Sequence, residues 1–396
     1  MNPAVSSLEV IWAFVIADLV IPVFEPGESP RHLILTGPNG TGKSSILLGL
    51  CEALRSWPNS PGQQLRKATR SVATFERALN SSQIDDRQRS QFVANLANQE
   101  TRLLGLRQRP IVEPTIQGVI DGQSTIVAYL PASRRFTPTA VSGPNRFDWP
   151  SPRTNQDFSR LFLQYLVNRR SEQAFAREGG DEQSADAIKL WFDELGAWLR
   201  KVLQQPTLEL RFNAKTFAFY LWIEGHEVAF ETLPDGFASI LTLWSEILLR
   251  VAAVEGEATG FVLIDEPELH LHPELQEELL PLLTQQFPSL QFIVATHSPL
   301  IATSLTHATI YDLERREPTR GEDWQGIRYG NVLKSQFGLR TDFDSATTAK
   351  LDRLYALRQI ADPSDEQRAE IRALASELAE HGHLLALEVL KELPDD

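Results

Sequence analysis

The chain carries one cysteine, Cys51, in 396 residues. Without a second thiol it has no internal disulfide and no CxxC metal site, and a reducing compartment, the cytoplasm, is the expected location. Long hydrophobic runs are missing too. The apolar opening over residues 10–17 is cut by Asp18, follows no basic segment and falls short of the ~18 residues a spanning helix needs. It is expected to form strands, with no membrane partner. Positive charge is scarce: 38 Lys/Arg stand against 52 Asp/Glu, a net charge of −14, which argues against a chain coated in nucleic acid. No internal repeat is present. With 42% hydrophobic residues, the chain can bury one large core or two.

The charge is unevenly spread. Residues 55–109 hold ten Lys/Arg against four acids, and residues 133–170 hold seven Arg against two Asp, so both stretches are basic within an acidic protein. Two readings stand for region 55–170: solvated helix faces, or a surface for nucleic acid or an acidic partner. From residue 353 the balance reverses, with ten Asp/Glu against five Lys/Arg.

The pattern of elements predicts an α/β fold. β-rich runs over 8–16 and 18–24 read as a hairpin, and His32-Leu33-Ile34-Leu35 as a buried strand before a Gly-rich turn. Ile46, Leu47, Leu50 and Leu54 then recur at helical spacing. Residues 63–109 are polar and weakly helical, 110–130 return to β character, and a Pro- and Ser-rich loop follows over 131–155. Helical patterning over 157–170 and 186–203 predicts a lobe, with Leu190, Trp191, Leu195, Trp198, Leu199 and Val202 on one packed face. Two further β runs precede a helix from Phe237, and strands over 260–264 and 290–295 flank a helix from Pro273. The end, from residue 347, reads as helical. Asp342-Phe343-Asp344 is a DxD with no strand around it and reads as loop.

Gly37-Pro38-Asn39-Gly40-Thr41-Gly42-Lys43-Ser44 fits GxxxxGK[ST] and lies between a predicted strand and a predicted helix, the context such a phosphate-binding loop requires. The glycines let the backbone wrap a phosphate whose oxygens accept N–H bonds from the loop and the helix end, through Ser45. Lys43 would reach the β/γ-phosphates of ATP, and Ser44 a Mg²⁺ ion. The apolar strand Phe261-Val262-Leu263-Ile264 ends in Asp265 and Glu266, which places two carboxylates at the carboxyl edge of a parallel sheet. Asp265 would hold Mg²⁺ and Glu266 would orient and deprotonate the attacking water. His297 follows the strand Phe292-Ile293-Val294-Ala295-Thr296 and would sit at the same edge, within reach of a γ-phosphate or the water. His270 and His272, two apart with no further clustered ligands, do not read as a zinc site.

The run Ile264-Asp265-Glu266-Pro267-Glu268-Leu269-His270-Leu271-His272-Pro273, with Thr296-His297-Ser298-Pro299 after it, resembles the ABC ATPases of the SMC/RecF/OLD group. The resemblance covers residues 8–60 and about 205–313. It implies a P-loop NTPase of ABC ATPase type with an antiparallel β subdomain, a helical lobe and a helical C-terminal tail. The expected division is an ATPase domain over 1–335, with helical or basic insertions at about 63–109 and 150–205, and an acidic tail over 336–396. Leu233-Pro234-Asp235-Gly236-Phe237 resembles the signature loop, so Pro234, Asp235 and Gly236 would cap the γ-phosphate held by the other subunit of a homodimer or larger homo-oligomer. The family usually has Ser where this chain has Pro234, which removes a hydroxyl and points to slow hydrolysis. Ala132 stands near the place of the family's usual glutamine, and Arg134 or Arg135 is either a charge near the γ-phosphate or a plain surface or salt-bridging residue.

The insertion at 150–205 is too short for a long coiled coil, and the chain most resembles the compact AAA-family ATPase subunits of bacterial phage-defence systems of the Septu, retron-linked and PARIS types. That resemblance implies a regulatory ATPase that senses an invader and controls a separate effector, a nuclease or a toxin. The alternative is a DNA-repair or recombination ATPase of SMC/RecF type, with DNA on the basic region. A transporter motor would need a membrane partner, and an in-chain nuclease would need a substantial α/β unit after His297. The acidic tail would be either the effector's dock or a helical cap.

Overall fold

Unbroken apolar runs, rather than alternating ones, are what a strand covered on both faces requires, and three of them form the centre of the protein. β3 (His32–Thr36), β9 (Thr259–Asp265) and β10 (Leu290–Ala295) are buried along almost their whole length. The computed structural model describes residues 2–80, 85–146, 148–154, 156–325, 345–360 and 364–380. The chain divides into two units, residues 1–326 and 327–396. The expected domain boundary at 335 and the Asp342-Phe343-Asp344 motif lie outside the described residues.

In the first unit, β11 (Ala308–Asp312), β3, β10, β9 and β5 (Thr125–Leu130) run parallel, and β12 (Glu317–Arg320) closes the β11 edge antiparallel. A second sheet, antiparallel, has the order β2 (Ile16–Pro22), β1 (Ala4–Ala13), β4 (Ile111–Gln117). α1 (Lys43–Arg55) packs between the two sheets, with Ile46, Leu47, Leu50, Cys51 and Leu54 in the shared core. The Gln291 amide clips the sheets together: it accepts from the Val5 N–H at 2.8 Å and donates to the carbonyls of Val5 at 3.0 Å and Arg31 at 2.7 Å.

Two insertions leave this frame. α2 (Pro61–Leu79) and α3 (Asp86–Arg107) follow α1. Ser60 caps α2 and bonds the Glu113 carboxylate of β4 at 2.5 Å, while Asp85 and Gln88 form a capping box that starts α3. No residue of α3 is buried, and Phe75 and Phe92 meet at 6.0 Å between the two helices.

The second insertion comprises α4 (Phe162–Glu178), α5 (Glu182–Val202) and the antiparallel sheet of β6 (Glu209–Asn213), β7 (Ala218–Ile223) and β8 (His226–Val228), ahead of α6 (Asp235–Ala252). Trp198 and Phe162 pack in the core as expected: Trp198 stacks on Trp244 at 4.3 Å, and Phe162 meets Phe230 and Trp244 edge-on. The predicted face of α5 needs one correction. Leu195, Leu199 and Val202 are buried, but Leu190 is 59% exposed, because the buried stripe runs through Ala185 and Ile188 and leaves Leu190 about half a turn away. No described helix is long and apolar enough to cross a membrane.

In the second unit, α9 (Ser345–Arg358) and α10 (Asp365–Glu380) pack through Leu351, Leu354 and Leu378, and Arg353 pairs with Glu370 at 2.8 Å.

Candidate nucleotide site

A phosphate loop needs glycine where the chain must turn back on itself. Gly37, Gly40 and Gly42 hold φ of 137°, 79° and 92°, values that other residues rarely adopt. The loop joins β3 to α1, and Gly42 caps the helix without a side-chain hydrogen bond, so the first N–H groups of α1 keep their donors for an anion. Pro38, Asn39 and Gly40 are exposed on the loop, and the Thr41 hydroxyl donates to the Pro38 carbonyl at 2.9 Å. Lys43 is buried. Its ammonium donates to the Gly37 and Pro38 carbonyls at 2.7 and 3.0 Å and lies 3.5 Å from Nδ1 of His297. Burial lowers its pKa, against the pull of Glu266 and Asp265.

Parallel register brings the other residues to the same edge, because β9 and β10 pair Ala295 with Asp265 and β10 lies beside β3. Burial raises the pKa of Asp265, while the Ser44 hydroxyl favours its ionised form. Its Oδ1 is buried with no hydrogen-bond partner. An orphaned carboxylate oxygen beside a serine hydroxyl is an all-oxygen donor set, which suits Mg²⁺. Glu266 sits with φ at 45°, its N–H held by the Ala295 carbonyl at 2.8 Å, and its carboxylate lies 3.7 Å from Nε2 of His297. Burial first, and then Lys43, lower the pKa of His297 and favour the neutral imidazole, able to accept or donate a proton. Ser45 is half-buried on the first turn of α1. The structure thus draws Lys43, Ser44, Asp265, Glu266 and His297 together.

The 234–236 loop takes a different place. Pro234 precedes α6 and provides no capping side chain, so the helix begins with unclaimed N–H groups. Gly236 lies against the chain just after β9: a Cβ there would meet the His270 carbonyl at 2.6 Å. His270 and His272 themselves are exposed.

Two further residues tie the loops of the site together. Glu268 accepts from the N–H groups of His297 at 2.6 Å and Ser298 at 3.1 Å, tying the loop after β9 to the loop after β10. Arg134 does not reach outward as a surface charge. Its guanidinium donates to the Asp265 carbonyl at 2.7 Å and the Glu266 carbonyl at 2.9 Å, and burial pushes its pKa down to about 10. Arg135 is exposed.

Known proteins share parts of this chain. A Septu protein PtuA from Bacillus mycoides (strain KBAB4) is 31% identical over 159 residues, 38% of this chain and 22% of that protein. The retron Vc95 probable ATPase from Vibrio cholerae serotype O1 biovar El Tor is 38% identical over 92 residues, 22% of this chain and 18% of that protein. The chain therefore spans about a fifth of the length of these relatives. Among solved structures, the Smc head domain of Pyrococcus furiosus bound to the C-terminal domain of ScpA covers 78% of this chain and 93% of its own, at 11% identity and a TM-score of 0.36. The parallel strand order, with its phosphate loop between β3 and α1, gives the chain a P-loop α/β architecture. A family model described as "AAA domain, putative AbiEii toxin, Type IV TA system" matches residues 74–303, a span that holds Asp265, Glu266 and His297 and begins after the phosphate loop. With more than half of its residues inside that match, the chain belongs to this family of AAA domains.

Proposed function

We propose that this protein binds and hydrolyses ATP as the regulatory or sensor subunit of an antiphage defence complex that controls a separate effector, a nuclease or a toxin. One observation carries the catalytic part: Lys43, Asp265, Glu266 and His297 converge at the carboxyl edge of one parallel sheet, where Lys43 and His297 stand 3.5 Å apart and His297 and Glu266 3.7 Å. The loop 37–45 would cradle the phosphates of ATP. Lys43 would exchange its bonds to the Gly37 and Pro38 carbonyls for phosphate oxygens. Ser44 and Asp265 would hold Mg²⁺, which screens the charge that builds on the transferred phosphoryl group. Glu266 would accept the proton of the attacking water, and His297 would hydrogen-bond that water or the γ-phosphate. The similarity to Septu and retron proteins supports the defence setting.

In this reading the ATPase domain spans residues 1–335 and the tail 336–396. The 234–236 loop and the N–H groups at the start of α6 would face the γ-phosphate held by a second copy, making two shared sites in a head-to-head dimer. The test is the mass of the purified protein by light scattering with and without ATP–Mg²⁺, for the wild type and for Glu266→Gln. ATP-dependent growth from monomer to dimer or larger ring, locked by Glu266→Gln, supports the shared site. A mass that never changes, in a protein that binds no nucleotide, ends the reading.

A second reading, a DNA-repair or recombination ATPase, draws on the exposed arginines of α2 and α3. It requires duplex DNA affinity that falls steeply with salt, and salt-insensitive or absent binding removes it.

A further inference from the structure

Arg134 belongs to the loop after β5, yet its side chain turns inward. Nη1 donates to the carbonyls of Pro131 and Asp265, both at 2.7 Å, Nη2 donates to the Glu266 carbonyl at 2.9 Å, and Nε reaches Oγ of Ser239 at 3.4 Å. One rigid, planar group therefore joins three segments: its own loop, the end of β9 and helix α6.

The choice of acceptors is informative. Glu268, Asp265 and Glu266 all attract this guanidinium, yet its hydrogen bonds go to backbone carbonyls and to Ser239. Oδ1 of Asp265 is left without a partner, and Glu266 keeps its carboxylate toward His297. A cation that compensates a carboxylate cluster without binding its oxygens leaves those oxygens available for chemistry. The Glu266 backbone meanwhile sits at φ 45°, a left-handed conformation that a side-chain-bearing residue holds only when its surroundings fix it. Its N–H is fixed by the Ala295 carbonyl, and its C=O accepts from Arg134 at 2.9 Å and from the Leu269 N–H at 3.3 Å. Those bonds orient both peptides flanking Glu266, and with them the direction of its side chain. Ser239 lies one turn into α6, downstream of the 234–236 loop, and Gly236 packs on the His270 carbonyl, so α6 meets the chain around and after β9 at two places.

We propose that Arg134 is a positioning residue for Glu266, holding its backbone in the left-handed conformation and linking it to helix α6 through Ser239. The proposal rests on the nucleotide reading above. A displacement of α6, whose first turn is the candidate contact to the partner's nucleotide, would pass to the Glu266 peptide through this side chain.

The test is steady-state ATP hydrolysis by the full chain, with ATP affinity measured separately by a fluorescent ATP analogue and folding checked by thermal melting. Arg134→Ala is expected to lower kcat at least 30-fold while ATP affinity changes less than threefold, because Arg134 bonds neither the phosphate loop nor Lys43. Arg134→Lys is expected to recover part of the loss, as an ammonium can serve two of the carbonyls at once. Should Arg134→Ala fail to fold, Arg134→Lys decides: a reduced kcat at unchanged affinity supports the proposal, and wild-type kcat overturns it. An Arg134→Ala variant that folds and keeps kcat within twofold, or loses kcat only in proportion to affinity, also overturns it. Wild-type protein that neither binds nor turns over ATP ends the nucleotide reading and this inference with it, whereas an active wild type beside an unaffected variant overturns this inference alone.

Discussion

The two basic stretches of this acidic chain have similar composition and different fates. In α2 and α3 the charged side chains face solvent: no residue of α3 is buried, and the ion pairs Arg66–Glu9 and Arg109–Glu52 join half-exposed or exposed partners. In the stretch from 133 to 170 three of the seven arginines turn inward and the other four are exposed. Arg134 holds three carbonyls, Arg153 donates to the carbonyls of Leu54 and Arg55, and Arg169 lies over Tyr165 and Trp191. Arg250 of α6 reaches into the same loop, donating to the carbonyls of Pro152, Thr154 and Gln156. The difference lies in the backbone. A helix satisfies its own carbonyls, so an arginine on it turns inward only where an irregular segment packs beside it, as Arg250 of α6 and Arg55 at the end of α1 do toward the loop. An irregular, proline-rich loop packed against a core exposes carbonyls that need donors, and the guanidinium brings five. Charge counted along a sequence therefore measures a surface only where the backbone is already satisfied.

The sharpest break of this comparison is Arg250→Met. Arg250 is 1% exposed and paired with Glu246 at 2.6 Å, so its loss leaves a buried carboxylate without its cation, takes the donor from the Gln156 carbonyl and weakens the bonding of the Pro152 and Thr154 carbonyls. The expected cost is ~3–5 kcal/mol in urea unfolding, and a cost under ~1 kcal/mol would show that the loop does not need its arginines. A control separates these effects from titration, since guanidinium groups keep their charge throughout. Burial first, and then His307, lower the pKa of His32 to about 4, and its Nδ1 accepts from the Phe292 N–H at 3.1 Å. The unfolded chain binds that proton more readily, so this stability is complete above the ordinary histidine value and drains away as pH falls toward 4. The whole effect is on the order of 3 kcal/mol. His32→Gln, which keeps an acceptor, should flatten that slope in unfolding measured between pH 7 and 4, while an Arg250 variant should leave it intact.

Arg153→Ala sharpens the comparison at smaller scale. It removes the donor from two carbonyls at the end of α1 and should cost ~1–3 kcal/mol by the same measurement. Arg87→Glu with Arg89→Glu, on α3, is the matching outward change and should stay within ~0.5 kcal/mol of wild type. On the DNA reading the same pair would lower the slope of log affinity against log salt by about two. An outward pair as costly as Arg153→Ala would erase the distinction between the two stretches.

The elements that position the candidate site were legible because their signals are local. Contiguous apolar residues marked β3, β9 and β10, the spacing of glycines marked the loop at 37–44, and acids directly after an apolar strand marked Asp265 and Glu266. Contacts between distant segments were not. Arg134 lies 131 positions from the Asp265 carbonyl it holds, Gln291 lies 286 from Val5, and Glu268 lies 29 from the His297 N–H. Leu190 failed for a related reason, since helical spacing permits several faces and only the packed neighbours select one.

By itself, then, the sequence determined an α/β chain with a phosphate loop before a helix and two acids at a strand end, because hydrophobic periodicity and glycine's conformational freedom act within a few residues. The tertiary structure alone decided which arginines face solvent and which grip the backbone, and how the Glu266 peptide is held. Those outcomes depend on where unsatisfied carbonyls of remote segments come to lie, and no local pattern encodes that.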